Sequence, residues 1–195
     1  MRFLVPLAAV VSLAFAGPSM AQSVANPGFE SGVLAPWTCT VDASGSCAVD
    51  IAGGSCGGVP RSGTHFFCGF ENVGSGNLAQ PLSTTPGTRY IVSAYFNGSE
   101  AINTGSIALG ASAPVSCTVT PGTYTLCTSS FVAATSSDAV KIGFATQSGS
   151  GTVWVDDVSV AGPPSNIPAL SEWGMLALGL ALALSAGLYL RRRRS

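Results

Sequence analysis

Apolar and polar residues alternate with a period of two through much of this chain. In "RYIVSAYF" (89–96), Tyr90, Val92, Ala94 and Phe96 fall on one side, and Arg89, Ile91, Ser93 and Tyr95 on the other. "AVKIGFAT" (139–146) sets Val140, Ile142 and Phe144 on one face, and "TVWVDDVSV" (152–160) is rich in β-branched residues. A half-buried strand produces this pattern, because successive side chains leave a strand on opposite faces. Shorter runs, WTCTV, CAVDI, THFFCGF, SIAL, SCTV and YTLCTSSFV, are divided by Gly, Pro, Ser and Asn. "PGT" recurs at 86–88 and 121–123, each time just ahead of a Tyr-led strand, as a tight turn with proline at its second position. Between the two ends no helical period is sustained over eleven residues. Many short strands separated by turn signals predict an all-β antiparallel sandwich, one domain over residues 22–161. "AGPPSNIP" (161–168) reads as an extended Pro-rich linker centred on 162–166.

The ends break the alternation. At the N-terminus Arg2 precedes an apolar run from Phe3 to Ala16, with small residues at Ser19 and Ala21. That is the form of a secretory signal peptide, residues 1–21, cut after Ala21 or alternatively after Ala16. The run is short for a membrane-spanning helix. At the C-terminus, Trp173 to Leu190 carries no charge over eighteen residues. As a helix it would extend roughly 27 Å, close to the about 30 Å of a bilayer core. Arg191, Arg192, Arg193 and Arg194 follow and hold that end on the cytoplasmic side, so the body faces outward from the inner membrane.

Charge narrows the function. Charged residues make up 9% of the chain, with one lysine (Lys141) and one histidine (His65). Between Gln22 and Asn166 eight acids face three bases, Arg61, Arg89 and Lys141. No basic face for nucleic acid can be built from these. Six cysteines, an even number, fall in an exported body and read as three disulfides. Fifteen connectivities exist for six cysteines; nearest neighbours in sequence give Cys39–Cys47, Cys56–Cys68 and Cys117–Cys127. The last pair brackets "TVTPGTYTL", read as a hairpin. Zinc is the weaker use of these thiols, since no C-x-x-C pair is present. Catalysis lacks its groups. There is no G-x-S-x-G elbow, His65 stands alone, and the neighbouring Asp156 and Asp157 alternate to opposite faces of a strand, which a glycosidase pair cannot do.

The tail "IPALSEWGMLALGLALALSAGLYLRRRRS" (167–195) resembles the IPTL-CTERM sorting signal of Gram-negative bacteria. Ile167, Pro168, Leu170, Ser171, Glu172, Trp173 and Gly174 match its motif, and Ala169 replaces a threonine. A transmembrane segment (173–190) and the basic end complete the resemblance. It implies recognition by an exosortase-like membrane peptidase that cuts near the motif, and delivery to the cell surface or an extracellular matrix. A plain stop-transfer anchor would not need the octapeptide.

The body carries a second resemblance. "VANPGFESGVLAPWT", "GNLAQPLSTTPGTRYIVSAYFNG" and "GTVWVDDVSV" occur in the order found in galactose-binding-like jelly-roll domains, notably carbohydrate-binding modules. Such domains often hold a structural Ca²⁺ where the first and last strands meet. The resemblance carries that role to Glu30 and to Asp156 or Asp157, hard oxygen donors suited to the ion. If Val158 and Val160 face the core, alternation turns Asp156 inward; a bulge would reverse it. Sugar sites pair an aromatic platform with amide, carboxylate or guanidinium groups. Trp37, Tyr95 and Trp154 are the candidate platforms, with Arg89, Asn97 and Glu71 as partners. Tyr95 and Arg89 share the face opposite the apolar row and make the better pair. The expected protein is an exported, surface-sorted, non-catalytic domain that meets envelope or matrix polysaccharide. The alternative is a structural or adhesive envelope protein without a sugar site.

Overall fold

The computed structural model describes residues 24–162 apart from Ala43 and Ile102. The expected signal peptide (1–21), linker residues 163–166 and the sorting tail (167–195), with its transmembrane segment, lie outside the described residues.

Every regular element described is a strand: β1 (Thr38–Val41), β2 (Ser46–Ile51), β3 (His65–Ser83), β4 (Arg89–Gly98), β5 (Asn103–Leu109), β6 (Val115–Cys117), β7 (Thr125–Val132) and β8 (Ser137–Ala161). All their ladders are antiparallel. Two strands exceed their sequence signal. β3 has 19 residues and β8 has 25. They pair with each other from Phe67↔Val155 to Ser83↔Ser137, with one break between Asn72 and Gly74. At that break Val73 takes φ +52°, opposite residues 147–149.

The break divides the β3–β8 ribbon between two layers. One half pairs with β1 and β5, and β5 with β6, giving the order β1-β3-β8-β5-β6. The other half pairs with β2 and β4, and β4 with β7, giving β2-β3-β8-β4-β7. Rows of inward residues run across each layer in register. Leu78, Ile142 and Ile107 form one row; Phe67, Val155 and Phe96 form the other; all six have no exposed surface. Full burial of such side chains contributes roughly 1.5–3 kcal/mol each. Aromatics join the layers. The rings of Phe67 and Phe144 stand 5.4 Å apart. Phe96 lies against Gly105 of the opposite layer, where a Cβ would come within 2.5 Å of the ring.

The three disulfides pair as nearest neighbours: Cys39–Cys47, Cys56–Cys68 and Cys117–Cys127. Two of them close the sandwich. Cys39 lies on β1 and Cys47 on β2, the edge strands of the two layers on one side. Cys117 on β6 and Cys127 on β7 do the same on the other. The expected 117–127 hairpin is therefore corrected. β6 pairs with β5 and β7 with β4, and the intervening turn carries two isolated bridges, Thr120↔Thr123 within it and Gly98↔Pro121 to β4. The cysteines meet across layers at a Cα separation of 5.5 Å.

Candidate functional site

Outward-facing positions of the first layer form an open polar groove. Thr40, Asn77, Gly143, Ser106 and Ser116 lie in one cross-strand row. Ser75, Ala145 and Thr104 make the next row on one side, and Ala79, Lys141 and Ala108 on the other. The floor is low because its residues are small; a Cβ on Gly143 would collide with the Ser106 hydroxyl. Two adjoining depressions of about 350 and 400 Å³ share Ser106, Gly143 and Pro114. Their walls carry an amide (Asn77), an ammonium (Lys141), a second amide (Gln147) and the hydroxyls of Ser75, Thr104 and Ser116. No Trp or Tyr lines them. Such a surface offers directional hydrogen bonds to a polar chain-like ligand and little stacking area.

The second layer's outer face is instead roofed over its β3 and β8 strands. The outward residues there are Phe66, Cys68 and Trp154, packed into a satellite apolar cluster with Cys56 and Tyr124; on β4 and β7 the outward Ile91, Leu126 and Val132 stay exposed. The β2–β3 connection folds over them and is pinned by Cys56–Cys68. Gly58 lies so close that a Cβ would come within 2.8 Å of Trp154 and 2.9 Å of Phe66. The Trp154 indole donates to the Cys56 carbonyl at 3.2 Å, and the Tyr124 hydroxyl to the Val59 carbonyl at 3.0 Å.

The expected platforms and partners do not come together. Arg61, in the roof, places its guanidinium 3.5 Å over the Tyr95 ring and pairs with Asp157. Arg89 stands at the far end of β4, opposite Val132, and donates to the Ser130 hydroxyl at 2.9 Å. Tyr95 and Arg89 share a face as expected but not a site. Trp37 is corrected to a core residue: it is 4% exposed, its ring stands 5.9 Å from Phe29, and its indole donates to the Asn26 carbonyl. Asn97 is corrected likewise, being 2% exposed with its Oδ1 accepting from the Gly98 N–H. Trp154 and Glu71 are also buried. His65 opens β3, and its Nδ1 meets the Thr64 hydroxyl at 2.8 Å.

The carboxylates of the expected calcium set hold a segment of chain. A bulge does reverse the faces: Asp157 takes φ +50°, and the β4–β8 register shifts between Ser93 and Tyr95. Asp156 thus lies opposite Tyr95, on the outer side, completely buried by the chain that crosses it. It accepts from the N–H groups of Arg61 and Ser62 at 2.8 and 3.1 Å, and from that of Asp157. Burial pushes its carboxyl up to about 6, against the partial relief from those donors. Asp157 takes the Arg61 guanidinium and the Ser62 hydroxyl. Glu30 accepts from the N–H groups of Thr64 and His65, and the Thr64 N–H above all holds its carboxyl below the ordinary range. The three acids therefore clamp residues 61–65. Among the described residues no group of three His, Cys, Asp or Glu side chains is placed to hold a metal ion. As arranged, the set accepts from amide, hydroxyl and guanidinium donors.

The tail and the body each have counterparts. Residues 167–194 match the IPTL-CTERM motif. No curated protein matches the chain. Among solved structures, TmCBM61 in complex with beta-1,4-galactotriose superposes with a TM-score of 0.56 at 19% identity, over 73% of this chain and 99% of that one. The CBM22-1 xylan-binding domain of Xyn10C from Paenibacillus barcinonensis gives 0.51 at 10% identity, over 69% and 90%. The tailspike protein 4 enzymatically active domain of bacteriophage CBA120 gives 0.53 at 14% identity, but only 21% of that chain is covered. The fold is thus that of carbohydrate-binding module jelly rolls, joined to a sorting motif.

Proposed function

We propose that this chain is a surface-sorted, non-catalytic protein that binds a polysaccharide of the cell envelope or its matrix in the groove of the first layer. One observation carries the reading: the outer face left uncovered in a carbohydrate-binding-module fold is a groove with hydroxyl, amide and ammonium groups along its length. A linear glycan presents hydroxyls at a steady repeat, and a row of small polar residues meets it without desolvating large charges. The IPTL-CTERM match supports export, anchoring in the inner membrane and release toward the surface by an exosortase-like peptidase. Neighbours that are binding modules support the absence of catalysis.

The test is affinity electrophoresis of the full chain in detergent against β-1,4-galactan, xylan and the host's own exopolysaccharide. We expect saturable retardation by at least one, weakened tenfold or more by Asn77→Ala with Lys141→Ala and unaltered by Arg89→Ala. Retardation by none of them would overturn the reading in favour of a structural or adhesive role. Loss confined to Tyr95→Ala would move the site to the roofed face.

A further inference from the structure

Glu71 is the buried acid that the fold leaves unanswered. It is 1% exposed, on the same side of β3 as Phe67 and Gly69, one residue before the break in the ribbon. Among the described residues its two carboxylate oxygens are the only buried side-chain polar atoms without a hydrogen-bond partner. The turn between β1 and β2 closes on it. Gly45 donates its N–H to the Asp42 carbonyl at 2.9 Å and lies so near the Glu71 carboxylate that a Cβ would collide with it. A second acid, Asp42, converges on the same place. A Cβ on Gly74 would stand 3.0 Å from Glu71 Oε2 and 3.1 Å from Asp42 Oδ2. The same turn brings the Ser44 hydroxyl onto the Asn72 carbonyl at 3.2 Å.

A carboxylate stripped of water and given no donor costs several kcal/mol unless something neutralises it. Burial first, and the Asp42 charge second, push its carboxyl above the usual range. Two carboxylates aimed at one point beside the Ser75 hydroxyl, with no basic side chain among the described residues bonded to either, match what a hard divalent cation takes. We infer that Glu71 and Asp42 bind one divalent cation of the Ca²⁺ class where the β1–β2 turn meets the ribbon break. Asp42 also accepts from the Ser75 N–H at 2.7 Å, and Ser75 lines the groove, so the ion would brace one end of that groove. The site shares no residue with Glu30, Asp156 and Asp157.

Isothermal titration of Ca²⁺ into the chelator-stripped, oxidised full chain in detergent tests the site. Saturable binding at one site is expected. Glu71→Gln should weaken it at least tenfold, and Glu30→Gln and Asp156→Asn should leave it unchanged. Ca²⁺ should raise the thermal midpoint of the wild type and leave that of Glu71→Gln where it was, because only a ligand of the native state stabilises it. Asp42 is exposed, so Asp42→Asn gives the same reading if Glu71→Gln does not fold. Absence of saturable binding, wild-type affinity in Glu71→Gln or Asp42→Asn, or a loss that follows Asp156→Asn instead would each overturn the proposal.

Discussion

The two outer faces of the sandwich are built on the same two strands, yet over those strands one is bare and the other roofed. Halves of β3 and β8 supply both. On the first, the outward residues are Asn77, Ser75, Gly143 and Ala145; on the second they are Phe66, Cys68 and Trp154. The first set can stand in water, and the second cannot without exposing a contiguous apolar patch. Thirteen residues of connection, 52–64, are therefore spent as cover on one side, and the other side keeps an open groove. The difference teaches where to look for binding. Aromatic residues that suggest a sugar platform are, in this molecule, the ones the fold hides.

The sharpest way to break the contrast is to unpin the roof. Cys56→Ser with Cys68→Ser removes the staple over Phe66 and Trp154. About 2–4 kcal/mol of stability should go with it, read as a lower denaturant midpoint, and the groove's polysaccharide affinity should be unaltered. Equal loss of binding would show that the two faces are not independent. Next in size is the acid under the roof. Asp156 carries its folded carboxyl at about 6, above the ordinary value near 4, so the folded state binds a proton more readily than the unfolded one. Its contribution runs against folding above that pH and is relieved below it. Stability should rise on the order of 1–3 kcal/mol as pH falls from about 7 to 4.5. Asp156→Asn should lack most of that slope; a slope kept intact would transfer it to Glu71, which is shifted in the same direction. Glu30 acts oppositely, since its depressed carboxyl lends stability that is lost only at lower pH. The smallest effect belongs to the surface stack. Tyr95→Ala should cost about 1 kcal/mol or less in chemical denaturation, the worth of an exposed cation–π contact.

Alternation was readable where a strand is half-buried. Tyr90, Val92, Ala94 and Phe96 all turn inward on β4 as the period of two requires. The cysteine pairs were readable too, but two of them for a different reason from the one the hairpin suggested: edge strands of opposite layers are consecutive in the chain. The length of β3 and β8 was not legible. "ENVGSGN" and "QSGSG" look like turns, and they are strand only because each ladder holds the other. Nor could the faces of Asp156 and Asp157 be read, because one residue at positive φ inverts them. The groove escaped for want of a loud residue. Its signal was present in "AVKIGFAT", whose outward positions are Lys141, Gly143 and Ala145, but small and polar outward positions also describe an ordinary solvated face.

The order of strands has a mechanical side. The final strand, β8, is central to both layers, bonded on both edges over Val140–Thr146 and Val153–Val155. Whatever grips the chain beyond residue 162 pulls on that strand. Because Val153–Ala161 is laddered to β4 and Val153–Val155 also to β3, the load spreads over many bonds before the first one yields. A tether drawn from an edge strand would peel the sheet from its rim; this one drags on the keel.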